Sequence, residues 1–276
     1  MINTIYMIDH TYHFIFGLDP TFANKPFEFF HYLCLKSCYL TQNKPKILMH
    51  VIHEPENNVW WEKSKEFFQV VKYNSLPDIC YKCNNLDVYR PEHRSDIFRL
   101  LLLNEYGGVY ADIDTFFYKP FFPHFNNKPV VMGLEGIHHI SWDHWEINGL
   151  CNALIISEKN SEFIDLWLEE YKKGYDNHDW NAFSVRKPYS LSQQYKDLIT
   201  VEPVHTFHKY NWSDLIYHEP TYENGFYLNW LSDNGIMSKH MSESQIFAML
   251  KSLTEDKLKT SNSLFAKMCR NVNGLL

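Results

Sequence analysis

The sequence predicts an α/β domain built on a mostly parallel sheet, and three observations carry that prediction. Strand-like and helix-like runs alternate through the first half of the chain, which is the pattern of a sheet covered by helices on both faces. One such unit is sharply punctuated: a helical run to Tyr106 is stopped by Gly107-Gly108 and followed at once by the strand-like run Val109 to Asp114. At 276 residues with 45% apolar content, the chain is long enough to bury one large core, with or without appendages.

In chain order, Tyr12 to Phe16 reads as a strand ending at Gly17. Pro26 suits the first turn of a helix running to about Leu40, with Phe30, Leu33, Cys34 and Ser37 on one face. Ile47 to Ile52 is a short apolar run of buried-strand type, Val59 to Phe68 reads as a helix, and Gln69 to Tyr73 as a strand. Ser95 is a candidate cap for the helix Asp96 to Tyr106. Val130 to Leu134 and Ala153 to Ser157 are further strands. Ser161 to Lys173 is a helix with Phe163, Leu166 and Trp167 inward and Gly174 after it. Residues 177–240 read as loop-rich and 241–276 as a helical tail; there is no internal repeat.

Charge narrows the function classes. Lys and Arg total 26 against 33 Asp and Glu, a net of −7 with no long basic run, which argues against a duplex-binding surface. An anionic ligand would have to be met locally, by a metal ion, a single Arg or a helix N-terminus. Aromatic residues make up 17%, enough to stack on sugars or bases as well as to fill a core. No run of about 18 apolar residues predicts a transmembrane helix. Met1 to His10 lacks the pattern of a signal peptide, so the expected address is cytoplasmic. Cys34, Cys38, Cys80 and Cys83 admit two readings, a four-thiolate zinc site or separate buried thiols.

The chemistry centres on Asp112 and Asp114. In a strand, residues two apart share a face, with α-carbons roughly 6.5 Å apart, so both carboxylates would point one way and Ile113 into the core. Such a pair repels itself unless a cation lies between them, and a hard Mn²⁺ or Mg²⁺ ion takes oxygen ligands and bridges to phosphates. The carboxyl end of an α/β strand is also where such sheets bind ligands.

The segments His93-Arg94-Ser95-Asp96-Ile97-Phe98-Arg99-Leu100 and Tyr106-Gly107-Gly108-Val109-Tyr110-Ala111-Asp112-Ile113-Asp114 resemble the sugar-binding region of the DXD-containing glycosyltransferases. That family includes initiating α-mannosyltransferases and α-1,4-galactosyltransferases and is related to large glucosylating toxins. Fainter similarity links His13 to Gly17 with the family's first strand and Leu150-Cys151-Asn152-Ala153 with its mid-chain Asn-Ala segment. Ser238-Lys239-His240-Met241 resembles a late His-Leu-Trp segment whose Trp is missing here.

The resemblance implies a GT-A-like, nucleotide-sugar-binding Rossmann-type α/β fold with a helical C-terminal tail. Residues 1–240 would form the catalytic domain, with the nucleotide-sugar half at about 1–135 and the acceptor half at about 136–240. Residues 241–276 would pack on it as an extension. Asp112 would contact the ribose and the metal-bound diphosphate, and Asp114 would ligate the metal, Mn²⁺ or Mg²⁺. Asp96 and Arg99, one helical turn apart, would bind the donor sugar's hydroxyls; the alternative for them is a surface ion pair. Phe16 would stack on the base or be a core Phe. Asn152 would lie near the anomeric carbon or satisfy backbone groups. His240 would be the late metal or diphosphate ligand or an ordinary histidine. The aromatic and imidazole stretches His138, His139, Trp142 and Trp145, and His205, Phe207, His208, Tyr210 and Trp212, would line an acceptor site or pack as loops.

The implied reaction is metal-dependent transfer of a hexose, with retention, from a nucleotide sugar to a hydroxyl of a glycan, glycolipid or glycoprotein. UDP-linked donors are favoured because no segment obviously reads guanine; GDP-mannose is the alternative donor. A glycosidase, whose two carboxylates lie across a scissile bond on separate elements, and a non-catalytic nucleotide-sugar-binding module are the rival classes.

Overall fold

A computed structural model describes residues 8–20, 26–138, 145–207, 227–229, 252–261 and 264–276. Its centre is a seven-stranded sheet. The strands are β1 (Thr11–Phe16), β2 (Lys46–Val51), β3 (Gln69–Lys72), β6 (Gly108–Ala111), β8 (Val130–His138), β9 (Trp145–Ser157) and β10 (Thr200–Glu202), in the order β10-β8-β9-β6-β1-β2-β3. Pairs β1–β2, β2–β3, β1–β6 and β8–β10 are parallel, and β9 runs antiparallel to both β6 and β8. The expected mostly parallel α/β sheet is therefore what forms. Small ribbons complete the strands: β4 (Lys82–Cys83) with β5 (Leu86–Asp87), and β7 (Thr115–Phe117) with β11 (Tyr227–Asn229).

Two cores cover the sheet. On one face, Ile15, Tyr110, Met132, Leu150 and Ile155 pack beneath α3 (Pro91–Tyr106) and α4 (Glu162–Gly174), which bring Ile97, Leu100, Phe163 and Trp167. On the other, Tyr12, Phe14, Met49, Val109 and Leu154 meet Leu35 and Cys38 of α1 (Phe29–Thr41) and Trp61 of α2 (Val59–Ser64). Alternate residues of β1 thus feed opposite cores, which is why all six of its residues are buried. The cysteines divide the same way: Cys80 and Cys83 lie in the first core, Cys38 in the second, and Cys34 under the C-terminal helices. All are buried free thiols, and the four-thiolate reading is corrected because the two pairs belong to separate cores.

Several boundaries differ from expectation, each for a local reason. α1 starts at Phe29, because the Glu28 backbone N–H donates to His31 Nδ1 (2.9 Å) and closes the entry there, leaving Pro26 outside. α2 ends at Ser64, well short of Phe68. α3 starts one turn before Ser95, because Pro91 takes the first helical position, where its fixed φ and missing N–H cost nothing. The helix does stop at Gly107 (φ +69°), and Gly108 (φ +99°) opens β6 so close to β1 that a β-carbon there would lie 2.4 Å from the Thr11 carbonyl oxygen.

Of the stretch 177–240 expected to be loop-rich, the described part 177–207 is more regular. It holds a π-helical turn (Ala182–Arg186), α5 (Lys187–Gln194), the edge strand β10 and α6 (Val204–Phe207). These pieces are short and weakly patterned, and β10 exists only because β8 offers it a partner. Phe207, expected to line an acceptor site or pack, packs against Phe121 and Phe125 in the second core. His139, Trp142, His208, Tyr210, Trp212 and His240 lie outside the described residues. Near the C-terminus, α7 (Glu255–Thr260) and α8 (Leu264–Asn271) place Leu258, Phe265 and Met268 against Phe29, Phe30 and Leu33 of α1 and Phe116 of β7.

Candidate active site

The parallel strands β1, β2, β3 and β6 end at one sheet edge, and the singled-out residues of α3, β6 and β9 meet there. Asp112 follows the last residue of β6. Its N–H donates to the Ala153 carbonyl of β9 (2.9 Å), and its own carbonyl accepts from Thr115 N–H (2.9 Å). Residues 112–115 are therefore a tight turn that delivers the chain into β7. The expected strand to Asp114 is corrected: it ends at Ala111, and the turn, not strand alternation, sets how the two carboxylates stand. Ile113 packs against the second core as expected. Asp114 is 8% exposed.

Arg99 organises the site. Its side chain is 6% exposed, with Nη2 3.0 Å from Asp96 Oδ1 and Nη1 3.2 Å from Asp112 Oδ1. Nη1 also donates to the Asn152 carbonyl at 2.8 Å, and the guanidinium lies 4.5 Å from the centre of the Tyr110 ring. The loop closes because Asn152 Nδ2 donates to Asp96 Oδ1 (2.7 Å) and Tyr110 Oη to Asp112 Oδ1 (2.7 Å). Asp96, Arg99, Asp112 and Asn152, picked from three separate stretches of sequence, form one hydrogen-bonded cluster. The surface ion pair that Asp96 and Arg99 also allowed is excluded, since both residues are buried.

Two carboxylates share one guanidinium here, and the electrostatics show it. Burial raises the pKa of Asp96, against the opposing pull of Arg99 and Asn152. Burial likewise raises Asp112, opposed by Arg99 and Tyr110 and reinforced by Asp96. The Asp112 side chain is 27% exposed, so water tempers this effect more than at Asp96. Burial disfavours charge on Arg99, but Asp112, Tyr110 and Asp96 outweigh it and raise its pKa, so it stays cationic. Both contacts on Asp112 fall on Oδ1, leaving Oδ2 outside them. An edge of hard carboxylate oxygens with more acid than base fits a divalent cation. Among the described residues, no three His, Cys, Asp or Glu side chains converge to hold one by themselves.

Phe16 ends β1 at this same edge, yet its ring packs with Phe27 (5.3 Å, edge-on), His31 (5.8 Å) and Trp61 (6.0 Å), and the residue is 8% exposed. Two contributors escaped the sequence reading. Tyr110 carried a usable signal, since it stands two residues before Asp112 on the same strand face. Ser95 is no cap but an interior helical residue, with its carbonyl 3.3 Å from Arg99 Nε. No helix among the described residues is long and apolar enough to cross a membrane.

The chain is similar to several known proteins. The chain is 28% identical over 268 residues to glucan organizing enzyme 1 of Cryptococcus neoformans var. grubii serotype A, covering 96% of this chain and 70% of that protein. Among solved structures it is similar to the PaToxG glycosyltransferase, with 18% identity, 69% and 71% of the two chains covered and a TM-score of 0.42. It is also similar to the galactosyltransferase LgtC in complex with donor and acceptor sugar analogs, with 12% identity, 90% and 99% covered and a TM-score of 0.42. Residues 38–131, which hold Asp96, Arg99, Asp112 and Asp114, match the family described as glycosyltransferase sugar-binding region containing DXD motif.

Proposed function

We propose that this chain is a metal-dependent hexosyltransferase of GT-A-like fold. It moves a hexose from a nucleotide sugar, UDP-linked in preference to GDP-mannose, to a hydroxyl of a glycan, glycolipid or glycoprotein, with retention of configuration. One observation carries the reading: Asp96, Arg99, Asp112 and Asn152 close a single buried network at the ligand-binding edge of the sheet, next to Asp114.

In this reading Asp96 and Arg99 hold the donor's hydroxyls, and Arg99 fixes Asp112 toward the diphosphate. Asp112 and Asp114 supply carboxylate oxygens to Mn²⁺ or Mg²⁺, with His240 as a late ligand. Bound there, the ion stabilises negative charge on the departing diphosphate as a Lewis acid does. Asn152 stands near the anomeric carbon. The acceptor hydroxyl attacks from the face the diphosphate leaves, and its proton passes to that diphosphate. In this reading residues 1–135 are the donor half and 136–240 the acceptor half of one catalytic domain, and 241–276 are a helical extension packed on it. The six buried free thiols fit a reducing, cytoplasmic setting.

The test is incubation of the full chain with UDP-glucose, UDP-galactose or GDP-mannose, with Mn²⁺ or with chelator, following melting temperature and release of nucleoside diphosphate. A donor that raises the melting temperature and turns over only with metal supports the reading. Metal-dependent binding with no turnover of any donor would leave a binding module and overturn the enzyme. Equal binding in chelator would overturn the role of Asp112 and Asp114.

A further inference from the structure

Two buried polar atoms on neighbouring helices lack any hydrogen-bond partner among the described residues: Nε2 of His93 on α3 and Oη of Tyr171 on α4. His93 is 4% exposed and Tyr171 1%. Each forfeits a hydrogen bond it would have in water, a cost that folded proteins seldom leave standing.

The chemistry of each atom follows from its neighbours. Asn177 Nδ2 donates to the Asp87 carbonyl (2.8 Å), so its Oδ1 is the atom that faces Tyr175 and accepts from Tyr175 Oη (2.6 Å). Having spent its one proton there, Tyr175 Oη must accept from His93 Nδ1 at 2.7 Å. Burial first and Arg90 second lower the His93 pKa, so the ring is neutral. With the proton on Nδ1, Nε2 is a bare acceptor. Tyr171 is the converse. Burial and then Asp96 raise its pKa well above the ordinary value, so it keeps its proton and offers a donor.

The two residues come from the helices that flank Asp96. His93 precedes Asp96 by one helical turn on one face of α3, and the Asp96 charge bears on the Tyr171 phenol. Tyr175 links them, stacked on Tyr171 (6.1 Å) and edge-on to His93 (5.8 Å). A phosphate or carboxylate could only accept and would leave His93 unmet; an ammonium could only donate and would leave Tyr171 unmet. A hydroxyl does both.

We propose that His93 Nε2 and Tyr171 Oη, between α3 and α4 beside Asp96, form a hydroxyl-binding subsite that takes one hydroxyl of the transferred sugar and helps select it. The assignment rests on the glycosyl-transfer reading above. A water molecule satisfies the same two atoms, and the experiment separates the two.

Tyr171→Phe deletes only the donor. His93→Asn keeps a donor toward Tyr175 while deleting the acceptor. For the full chain in Mn²⁺, titration calorimetry measures binding of UDP-glucose, UDP-galactose and GDP-mannose alongside UDP and GDP. Each variant should weaken the nucleotide sugar that the wild type binds by about 5- to 10-fold, as loss of one hydrogen bond does. It should leave the matching nucleoside diphosphate within about twofold, because that ligand has no sugar hydroxyl to lose. Equal weakening of both ligands, or no change in either, would assign the pair to structural water and overturn the subsite. If His93→Asn melts below the assay temperature, the Tyr171→Phe result decides alone. A wild type that binds UDP or GDP but no nucleotide sugar removes the transfer reading itself, whereas intact sugar binding in both variants removes only the subsite.

Discussion

Replacing Arg99 by Met keeps much of the side chain's volume and removes the one cation shared by Asp96 and Asp112. The structure sets the size of the effect. Two carboxylate contacts (3.0 and 3.2 Å) and the 2.8 Å bond to the Asn152 carbonyl are lost from a side chain that is 6% exposed. Stripping one partner from a buried ion pair costs roughly 3–5 kcal/mol, because the charge left behind has neither water nor a counter-ion. At about 2.1 cal/mol/K per residue, a chain of 276 residues has a melting entropy near 0.6 kcal/mol/K, so the melting temperature should fall by roughly 5–9 °C. Calorimetry at pH 7.5 measures this. Because the raised pKa values of Asp96 and Asp112 let them neutralise, the deficit should shrink at pH 5. Arg99→Met/Asp112→Asn should recover part of it by removing one stranded charge. A single variant that melts within about 1 °C of wild type, against the loss expected for a buried pair, would refute the reasoning. So would a double variant no better than the single one.

Further outcomes follow from the same geometry. Asp112→Asn and Asp114→Asn should each lower transfer by on the order of 100-fold or more while melting close to wild type, as loss of a group stabilising the transition state does; retained activity in a discontinuous transfer assay would dismiss the metal role. His13 and His50 are buried and hydrogen-bonded to each other (2.9 Å), and burial lowers their pKa values to about 4 and about 3. The unfolded chain therefore takes up protons first, so stability should drop as pH falls from about 6.5 toward 4. A melting profile over that range no steeper than that of His13→Gln/His50→Gln would argue otherwise. Gly108→Ala should cost about 3 kcal/mol or more, since φ is +99° and the new β-carbon would sit 2.4 Å from the Thr11 carbonyl; denaturant titration within about 1 kcal/mol of wild type would contradict the close approach.

Much of the fold was legible because its signals are local. The Gly107-Gly108 stop, the apolar runs of β1 and β2 and the patterned α4 each follow from residues adjacent in sequence, and each formed nearly where read. The misreadings share one cause, which is competition settled by a neighbour. Ser95 offers a plausible cap, but Pro91 four residues earlier already satisfies the helix entry. The Val109 run looks long enough to reach Asp114, but the Ala153 carbonyl and the Thr115 N–H capture Asp112 into a turn. Strand β10 has no pattern of its own and is decided by its pairing with β8.

The site divides along the same line. From sequence alone came the candidates Asp112 and Asp114 and the sheet edge they belong to, read from spacing and strand direction, and, through the resemblance to the DXD glycosyltransferases, the candidates Asp96, Arg99 and Asn152. What only the tertiary structure decided is that Arg99 serves two carboxylates at once, that Asn152 closes the ring back to Asp96, and that His93 Nε2 and Tyr171 Oη have no hydrogen-bond partner among the described residues. Those facts depend on distances between α3, β6, β9 and α4, and on the exclusion of water from between them. Desolvation is set by what packs around a group, not by the residues on either side of it in the chain.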